Sequence, residues 1–251
     1  MIFGIEIWRI VVIVVLIFLV VQRANLVALV AKYQYGKQEQ EKAMRLFRLA
    51  DKVGNLNNKN KLLLGYLCLR CGELSEARQH LSLCLALYPR DSADRNQVKM
   101  LLALVSWKEG NLGNAIEEME EIFATGYRNT QLYQNLGILY NLTEDTEKAL
   151  QFNLEAYEYN QDDAVICDNL ADTYAIRNEW EQSARIYEEL MEREEKPTFP
   201  EAYYGYGKVL MQLGKKEEGL ALIRESLEKP FSYLSIRTKE EIETLYRSYT
   251  E

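Results

Sequence analysis

Six pairs of small residues, the members of each pair twelve positions apart, constrain the fold of this chain more than any other feature. The pairs are Ala31 and Ala43, Gly65 and Ala77, Ala103 and Ala115, Gly137 and Ala149, Ala171 and Ser183, and Gly207 and Gly219. The first members follow one another at intervals of 34, 38, 34, 34 and 36 residues. Because two antiparallel helices approach closely only where both present small side chains, the pattern predicts six stacked helix-turn-helix units.

Other residues recur in phase with these pairs. A large apolar residue directly precedes the small one at Leu64, Leu136, Leu170 and Tyr206, and helix-breaking residues follow at Gly72, Gly110, Asn178 and Gly214. A helix-turn-helix period of 34 residues is typical of tetratricopeptide repeats. The chain resembles that family from about residue 24 to residue 233, although Cys68 and Ser106 stand where an aromatic residue is usual and Glu144 replaces the turn glycine.

The first residues of the chain predict a membrane anchor. Residues 10–21, IVVIVVLIFLVV, are uninterruptedly apolar, and the preceding residues extend the run to about 20, broken only by Glu6 and Arg9. Glu6 and Arg9 lie one turn apart and are expected to pair. A half-exposed repeat helix would not be apolar on every side, which argues against a buried first helix. A cleaved signal peptide is disfavoured because no basic start precedes the run and no small-residue cleavage site follows it.

The resulting expectation is an all-α fold, a right-handed α-solenoid of repeats similar to tetratricopeptide repeats, preceded by one transmembrane helix. Its segments are the anchor (1–23), a degenerate first repeat continuous with the anchor (24–57), five further repeats (58–95, 96–129, 130–163, 164–199 and 200–233) and a C-terminal capping helix (234–251). Thr238 and Glu241 form a capping box at the start of that last helix.

The charge is unevenly distributed along the chain. Residues 1–60 hold nine Lys or Arg against four Asp or Glu, a net charge of +5. Because the whole chain has a net charge of −8, residues 61–251 carry −13. The basic flank after the anchor predicts a single-pass plasma (inner) membrane protein whose repeats are cytoplasmic, with lipid contacts through residues 1–23 and this flank. An extracytoplasmic assembly factor with an inverted anchor is the alternative. The acidic charge of residues 61–251 disfavours nucleic acid as a partner, because it repels phosphate groups.

Four residues form the one set with metal-site character, namely Cys68, Cys71, His80 and Cys84. Three thiols and an imidazole suit zinc, so a zinc-binding membrane regulator is a further alternative. The repeat register, however, places Cys68 and Cys84 at inward positions, where free cysteine packs as a small hydrophobe. We therefore expect no metal and no cofactor. No nucleophile motif accompanies His80, the sole histidine, and no phosphate-binding glycine loop occurs, so an enzyme is not expected.

The resemblance implies that the leading helix of each repeat lines a concave groove in which a protein partner binds. The register assigns to this groove Tyr66, Leu104, Trp107, Gln134, Ile138, Asp168, Asp172, Tyr204 and Lys208. Its N-terminal half is apolar and aromatic and its C-terminal half is polar to acidic. We expect a partner peptide with apolar anchors and basic residues, with Tyr66 and Trp107 as rigid anchors and Asp168 and Asp172 as countercharges. Alternatively, these side chains only fill a tightly coiled superhelix.

Overall fold

The computed structural model describes residues 7–37, 39–90 and 92–250, and these fold entirely into helices and connecting turns, without strands. The all-α fold predicted from the sequence is confirmed. The helices are α1 (Ile7–Gly36), α2 (Gln40–Val53), α3 (Asn58–Arg70), α4 (Leu74–Leu87), α5 (Ala93–Lys108), α6 (Leu112–Ala124), α7 (Thr130–Asn141), α8 (Thr146–Tyr159), α9 (Ala164–Ile176), α10 (Trp180–Glu192), α11 (Pro200–Gln212), α12 (Lys216–Ser226) and α13 (Lys239–Thr250).

The chain divides into two compact units. The first unit comprises residues 1–69 and 73–98, and the second comprises residues 70–72 and 99–251. The odd-numbered helices from α1 to α11 lead each repeat, and the even-numbered helices from α2 to α12 trail it. The third leading helix, α5, begins at Ala93, three residues before the predicted repeat boundary at 96.

In the first unit, α1 and α2 pack through alanines. Ala24, Ala28 and Ala31 of α1 and Ala43 and Ala50 of α2 are fully buried. Neighbouring positions in each set lie on one face of their helix, because residues three, four or seven apart share a face. Methyl side chains at the contact allow the two helix axes to approach closely, as the first small pair predicts.

Polar residues at the C-terminal side of the apolar run turn toward the rest of the first unit. The Arg23 guanidinium donates a hydrogen bond to the carbonyl of Val53. The side-chain oxygen of Asn25 accepts hydrogen bonds from the Asn57 backbone N–H and the Asn60 amide, each at 3.0 Å. The polar residues of this part of α1 therefore make contacts within the protein.

The outer face of α1 is apolar along almost its whole length. Every side chain from Ile7 to Val21 is exposed, and exposed apolar residues continue at Leu26, Leu29 and Tyr33. At 1.5 Å per residue the 30-residue helix is about 45 Å long. Its length and composition would allow it to cross a membrane, a test that a signal sequence near an N-terminus also passes. The predicted pair of Glu6 with Arg9 lies outside the described residues.

In the second unit the small pairs bring helices into backbone contact. A β-carbon at Gly207 would lie 2.6 Å from the carbonyl oxygen of Gly219, and one at Gly219 would lie 2.5 Å from the carbonyl oxygen of Gly207. In the preceding repeat, the Ser183 hydroxyl donates to the Ala171 carbonyl at 2.7 Å. These pairs therefore fix the spacing between leading and trailing helices.

Buried amide and hydroxyl groups connect α7, α8 and α9. We call Asn141, Asn153, Asn169 and Thr173 the amide cluster. The Asn153 amide donates to the Asn141 side-chain oxygen at 3.0 Å and to the Thr173 hydroxyl at 2.9 Å, and the Asn141 amide donates to the Asn169 carbonyl at 2.8 Å. A β-carbon at Gly137 would lie 2.2 Å from the Asn153 side-chain oxygen. The glycine therefore makes room for the cluster.

The last helix begins with the predicted capping box. The Thr238 N–H donates to the Glu241 carboxylate at 2.7 Å, and the Glu241 N–H donates to the Thr238 hydroxyl at 3.2 Å. Ile242 is buried in a cluster with Tyr204 of α11 and Ile223 of α12. The helix starts at Lys239, and residues 234–237, which the prediction placed in the capping helix, are not helical.

Candidate partner-binding site

A cavity of about 260 Å³ opens in the second unit between leading helices and the chain that follows α12. Its lining includes five residues that the register assigned to the groove, which are Ile138, Asp168, Asp172, Tyr204 and Lys208. We call this space the leading-helix cavity. Residues four apart on α9 and on α11 face it because a helix repeats its face about every 3.6 residues.

Asp168 is the most deeply placed charge-bearing group of the cavity. Its side chain is 7% exposed and accepts a hydrogen bond from the Tyr187 hydroxyl at 3.1 Å. Burial raises the pKa of Asp168 well above its ordinary value, and the neighbouring carboxylates of Asp172 and Glu201 raise it further. A further carboxylate near Asp168 would not offset the free-energy cost of ionising it in this buried position, whereas a cation would.

Asp172 lies one turn further along α9. It accepts a hydrogen bond from the Asn141 amide at 3.4 Å. Burial raises the pKa of Asp172, and the cations of Lys208 and Arg237 act in the opposite direction. The two aspartates therefore differ, since Asp172 has cations nearby and Asp168 has a tyrosine hydroxyl.

Two cations flank the Tyr204 ring at the cavity. The Lys208 ammonium lies 5.6 Å and the Arg237 guanidinium carbon 5.4 Å from the ring centroid. Burial lowers the pKa of Lys208, and the charge of Arg237 adds to that shift, while Asp172 opposes it. The cavity thus combines three carboxylates, counting Glu201, with two cations and an aromatic wall.

The sequence did not predict the role of the residues between α12 and α13. We call residues 231–237 the C-terminal segment. Its Ile236 N–H donates to the Glu201 carboxylate at 3.2 Å, and its Ser235 carbonyl accepts from the Lys108 ammonium at 2.9 Å. Ile236 and Arg237 line the leading-helix cavity. A short non-helical stretch carries no periodic signal, so its position could not be inferred from spacing.

Four predicted groove residues lie outside the cavity lining. Gln134 donates to both carboxylate oxygens of Asp163, at 2.8 and 2.9 Å, and so supports the N-terminus of α9. Leu104 is buried, with 6% of its surface exposed. Trp107 is half-buried, and the Lys108 ammonium lies 3.9 Å from its ring centroid. Tyr66 is half-buried and belongs to the first unit.

Tyr187 is a cavity residue that sequence reasoning missed. It lies on the trailing helix α10, which the register excludes from the groove, yet its hydroxyl reaches Asp168. A β-carbon at Gly205 would lie 2.3 Å from that hydroxyl. Gly205, a second glycine two positions before Gly207, is the one sequence signal that could have indicated a large side chain entering from the neighbouring helix.

Cys68, His80 and Cys84 of the first unit do not come together as the zinc alternative requires. Among the described residues, the acidic, thiol and imidazole groups that lie within 4.8 Å of one another are those of Cys68, Glu76 and His80. The Cys84 sulfur lies 3.8 Å from the Asn58 carbonyl instead, and Cys71 is exposed. Cys68 and Cys84 are fully buried, in line with the packing role expected from the register.

Comparisons with known proteins identify the fold. Residues 169–232 match the family model described as tetratricopeptide repeat. A tetratricopeptide repeat protein from Parabacteroides merdae superposes with a TM-score of 0.72 at 14% identity, covering 92% of this chain and 85% of that one. A thermophilic protein of this type from Thermus thermophilus superposes with a TM-score of 0.61 at 20% identity, covering 77% and 99%. No curated protein matches the sequence. The chain therefore has the fold of tetratricopeptide repeat proteins, and residues 169–232 match the model of that family.

Proposed function

We propose that this protein is a membrane-anchored interaction scaffold that binds a segment of a partner protein at the leading-helix cavity. The tetratricopeptide repeat fold is that of a protein-interaction scaffold, and the proposed role is not catalytic. The observation that carries the proposal is the buried Asp168 carboxylate at a cavity large enough to accept a side chain.

The chemistry of the cavity favours a basic side chain of the partner. A buried carboxylate is stable in its ionised form only when a cation or several hydrogen bonds compensate for lost hydration. Asp168 accepts a hydrogen bond from Tyr187, and Asp172 lies one turn away. A guanidinium or ammonium group between the two aspartates would supply the compensating charge. Apolar atoms of Ile138 and Tyr204 would contact its aliphatic portion.

The remaining groove residues enter the proposal as secondary contacts. Leu104, Trp107 and Gln134 extend the same leading-helix face, and Trp107 offers a half-buried ring to an apolar side chain of the partner. Tyr66, in the first unit, stays a prediction from the sequence. The partner is thus a protein segment with apolar anchors and at least one basic residue.

In this proposal α1 anchors the scaffold and the basic flank keeps the repeats in the cytoplasm. The exposed apolar side chains between Ile7 and Val21 support the proposal that this part of α1 lies in a lipid bilayer. A reporter fused after residue 251 tests the orientation. Activity of a reporter that works only in the cytoplasm is the expected result. Activity of one that works only outside would favour the inverted assembly factor instead.

Crosslinking in intact membranes, followed by mass spectrometry, tests the binding site. The variant Asp168→Asn/Asp172→Asn removes both acidic groups while keeping the size of the side chains. We expect it to lose the principal crosslinked partners by about tenfold, since an interfacial charge pair that loses one member weakens binding by that order or more. The control Asp162→Asn changes an exposed acidic residue outside the cavity lining. A double variant that keeps every partner of the wild type would exclude the cavity as the binding site.

A further inference from the structure

The C-terminal segment lies against the leading-helix side of the second unit through both backbone and side chains. Its backbone pairs with Lys108 of α5 and Glu201 of α11, and the Tyr233 N–H donates to the carbonyl of Arg70, which belongs to the same unit, at 2.9 Å. These partners lie on separate repeats. A non-helical stretch of turns and bends that hydrogen-bonds to several leading helices lies where a bound peptide segment would contact them.

The side chains of the segment have the chemistry that the cavity favours in a partner. Apolar residues Leu234 and Ile236 precede Arg237, and Ile236 and Arg237 both line the cavity. The positive charge of Arg237 acts on Asp172 and lies beside the Tyr204 ring. The segment therefore supplies an apolar group followed by a basic group at one end of the acidic site.

We propose that residues 231–237 are an intramolecular ligand of the leading-helix face, which a partner segment must displace in order to bind. This inference rests on the proposed function and adds its regulation. It also specifies the partner: a non-helical peptide segment in which an apolar residue is followed directly by a basic one, as Ile236 is followed by Arg237.

The C-terminal segment has features that would allow a partner to displace it. It is not helical, Tyr233 is 46% exposed, and the Arg237 side chain is exposed. Helix α13 has its own packing, through Ile242 against Tyr204 and Ile223, so it can stay in place while the segment leaves. A ligand tethered by a short linker has an effective concentration of about the millimolar order, which a free partner must overcome.

A direct test measures binding of a fluorescent peptide with the sequence of residues 229–239 to the full-length protein in detergent. The variant Ile236→Glu/Arg237→Glu places two carboxylates beside Glu201 and Asp172 and expels the segment. We expect this variant to bind the peptide at least about tenfold more tightly than the wild type, because the internal competitor is gone. The control Lys239→Glu/Ser248→Glu makes the same change in net charge at exposed positions of α13 and is expected to bind like the wild type. Equal affinity of the release variant and the wild type, or no binding to either, overturns the proposal.

Hydrogen exchange gives a second readout that does not depend on the folding of the variant. In the wild type we expect the Tyr233 and Ile236 amides to exchange at least about tenfold more slowly than exposed loop amides, since both donate hydrogen bonds. Added peptide should abolish this protection. Amides that exchange freely from the start would show that the segment is not bound. A protected segment together with unchanged partners in the Asp168→Asn/Asp172→Asn experiment would instead contradict only the proposed function.

Discussion

The two units of this protein place their polar and apolar residues in opposite ways. The first unit exposes apolar side chains along α1 from Ile7 to Tyr33, and Asn60 is its buried polar residue among those described. The second unit exposes few large apolar side chains but encloses the amide cluster and Asp168. The same helical repeat thus presents an apolar exterior at one end of the chain and a polar interior at the other.

This difference bears on the anchoring proposed above. An apolar exterior is stable in hydrocarbon, where the outside of a helix can match its solvent. In the second unit, hydrogen bonds among the buried amide and hydroxyl groups specify one arrangement of helices. In the second unit the interior polar groups set the register of neighbouring repeats, whereas in the first unit small alanines and an apolar outer face dominate.

The largest expected effect is on the helix contact of the second unit. Gly207→Ala forces its new methyl group against the Gly219 carbonyl, and we expect it to lower the free energy of unfolding by about 3 kcal/mol or more. Gly65→Ala in the first unit meets the Leu81 side chain at 2.9 Å, which can rotate, so the expected cost is about 1–2 kcal/mol. Hydrogen exchange at increasing urea concentrations, followed separately for amides of each unit, measures the change in the free energy of unfolding for both variants. Gly113→Ala has nothing within 4 Å and is the control. If Gly207→Ala and Gly65→Ala lowered the free energy of unfolding equally, the proposed difference between the helix contacts of the two units would be wrong.

Next in size is the loss of the amide cluster. Asn153→Ala removes two buried hydrogen bonds, to the Asn141 side-chain oxygen and to the Thr173 hydroxyl, although the Asn141 oxygen still accepts from the Thr173 hydroxyl. The expected loss in the free energy of unfolding is about 2 kcal/mol. The melting temperature of the second unit should fall by several degrees. Asn114→Ala, at an exposed position of α6, should leave it unchanged. A neutral Asn153→Ala variant would mean that the cluster does not stabilise the repeats.

A smaller effect, opposite in sign, is expected at Asp168. Because its folded-state pKa lies above the ordinary value of 3.8, its stabilising contribution is full below that value and is lost as the pH rises through the folded-state pKa. An asparagine at this position would lose no proton and could still accept the Tyr187 hydrogen bond. The Asp168→Asn variant should therefore be more stable than the wild type at pH 7, by about 1 kcal/mol or more, and equal to it near pH ~3.5.

Thermal unfolding of the wild type and Asp168→Asn at both pH values measures this effect. The same substitution is expected to weaken partner binding, so it should change stability and binding in opposite directions. Groups that cost stability are often retained for function. A variant less stable than the wild type at pH 7 would show that Asp168 is ionised and stabilised by its surroundings, and would remove the argument that a partner cation compensates its charge.

The smallest effect is expected for an ion pair of the first unit. The Arg48 guanidinium contacts the carboxylates of Glu73 and Glu76, but its side chain is 40% exposed. Arg48→Ala should lower the free energy of unfolding by less than about 1 kcal/mol, and about 1 M salt should remove most of the difference. A larger, salt-independent loss would show that the first unit relies on polar contacts as much as the second.

Local spacing in the sequence predicted most of the fold. The small pairs located the helix contacts, and positive φ angles occur at Gly72, Gly110, Gly214 and Asn178, the residues expected to separate helices. Asp168 and Asp172 were assigned to one face because helical register is local information. The predicted repeat boundary at 96 fell three residues inside α5, whereas the capping box of Thr238 and Glu241 marked the start of α13.

The missed features depend on contacts between residues far apart in sequence. Tyr187 reaches Asp168 from a trailing helix, and no periodic pattern indicates which trailing side chains cross to the other face. The C-terminal segment is positioned in part by backbone hydrogen bonds, which do not depend on residue type, so the sequence did not indicate its position. Both contributions to the cavity became visible only when the helices were assembled.

The unbroken course of α1 has a consequence for how proteases could release the repeats from the proposed membrane anchor. This helix packs against α2, and Ala24, Ala28 and Ala31 of α1 and Phe47 of α2 are fully buried. A protease that cuts between α1 and α2 would release a body that has lost the partner helix of its first repeat. A folded soluble form therefore requires a cut inside α1 before Ala24, where a peptide bond must first leave the helix to enter a protease active site. With α1 as the proposed anchor, the protein is suited to permanent residence at the membrane rather than to release by cleavage.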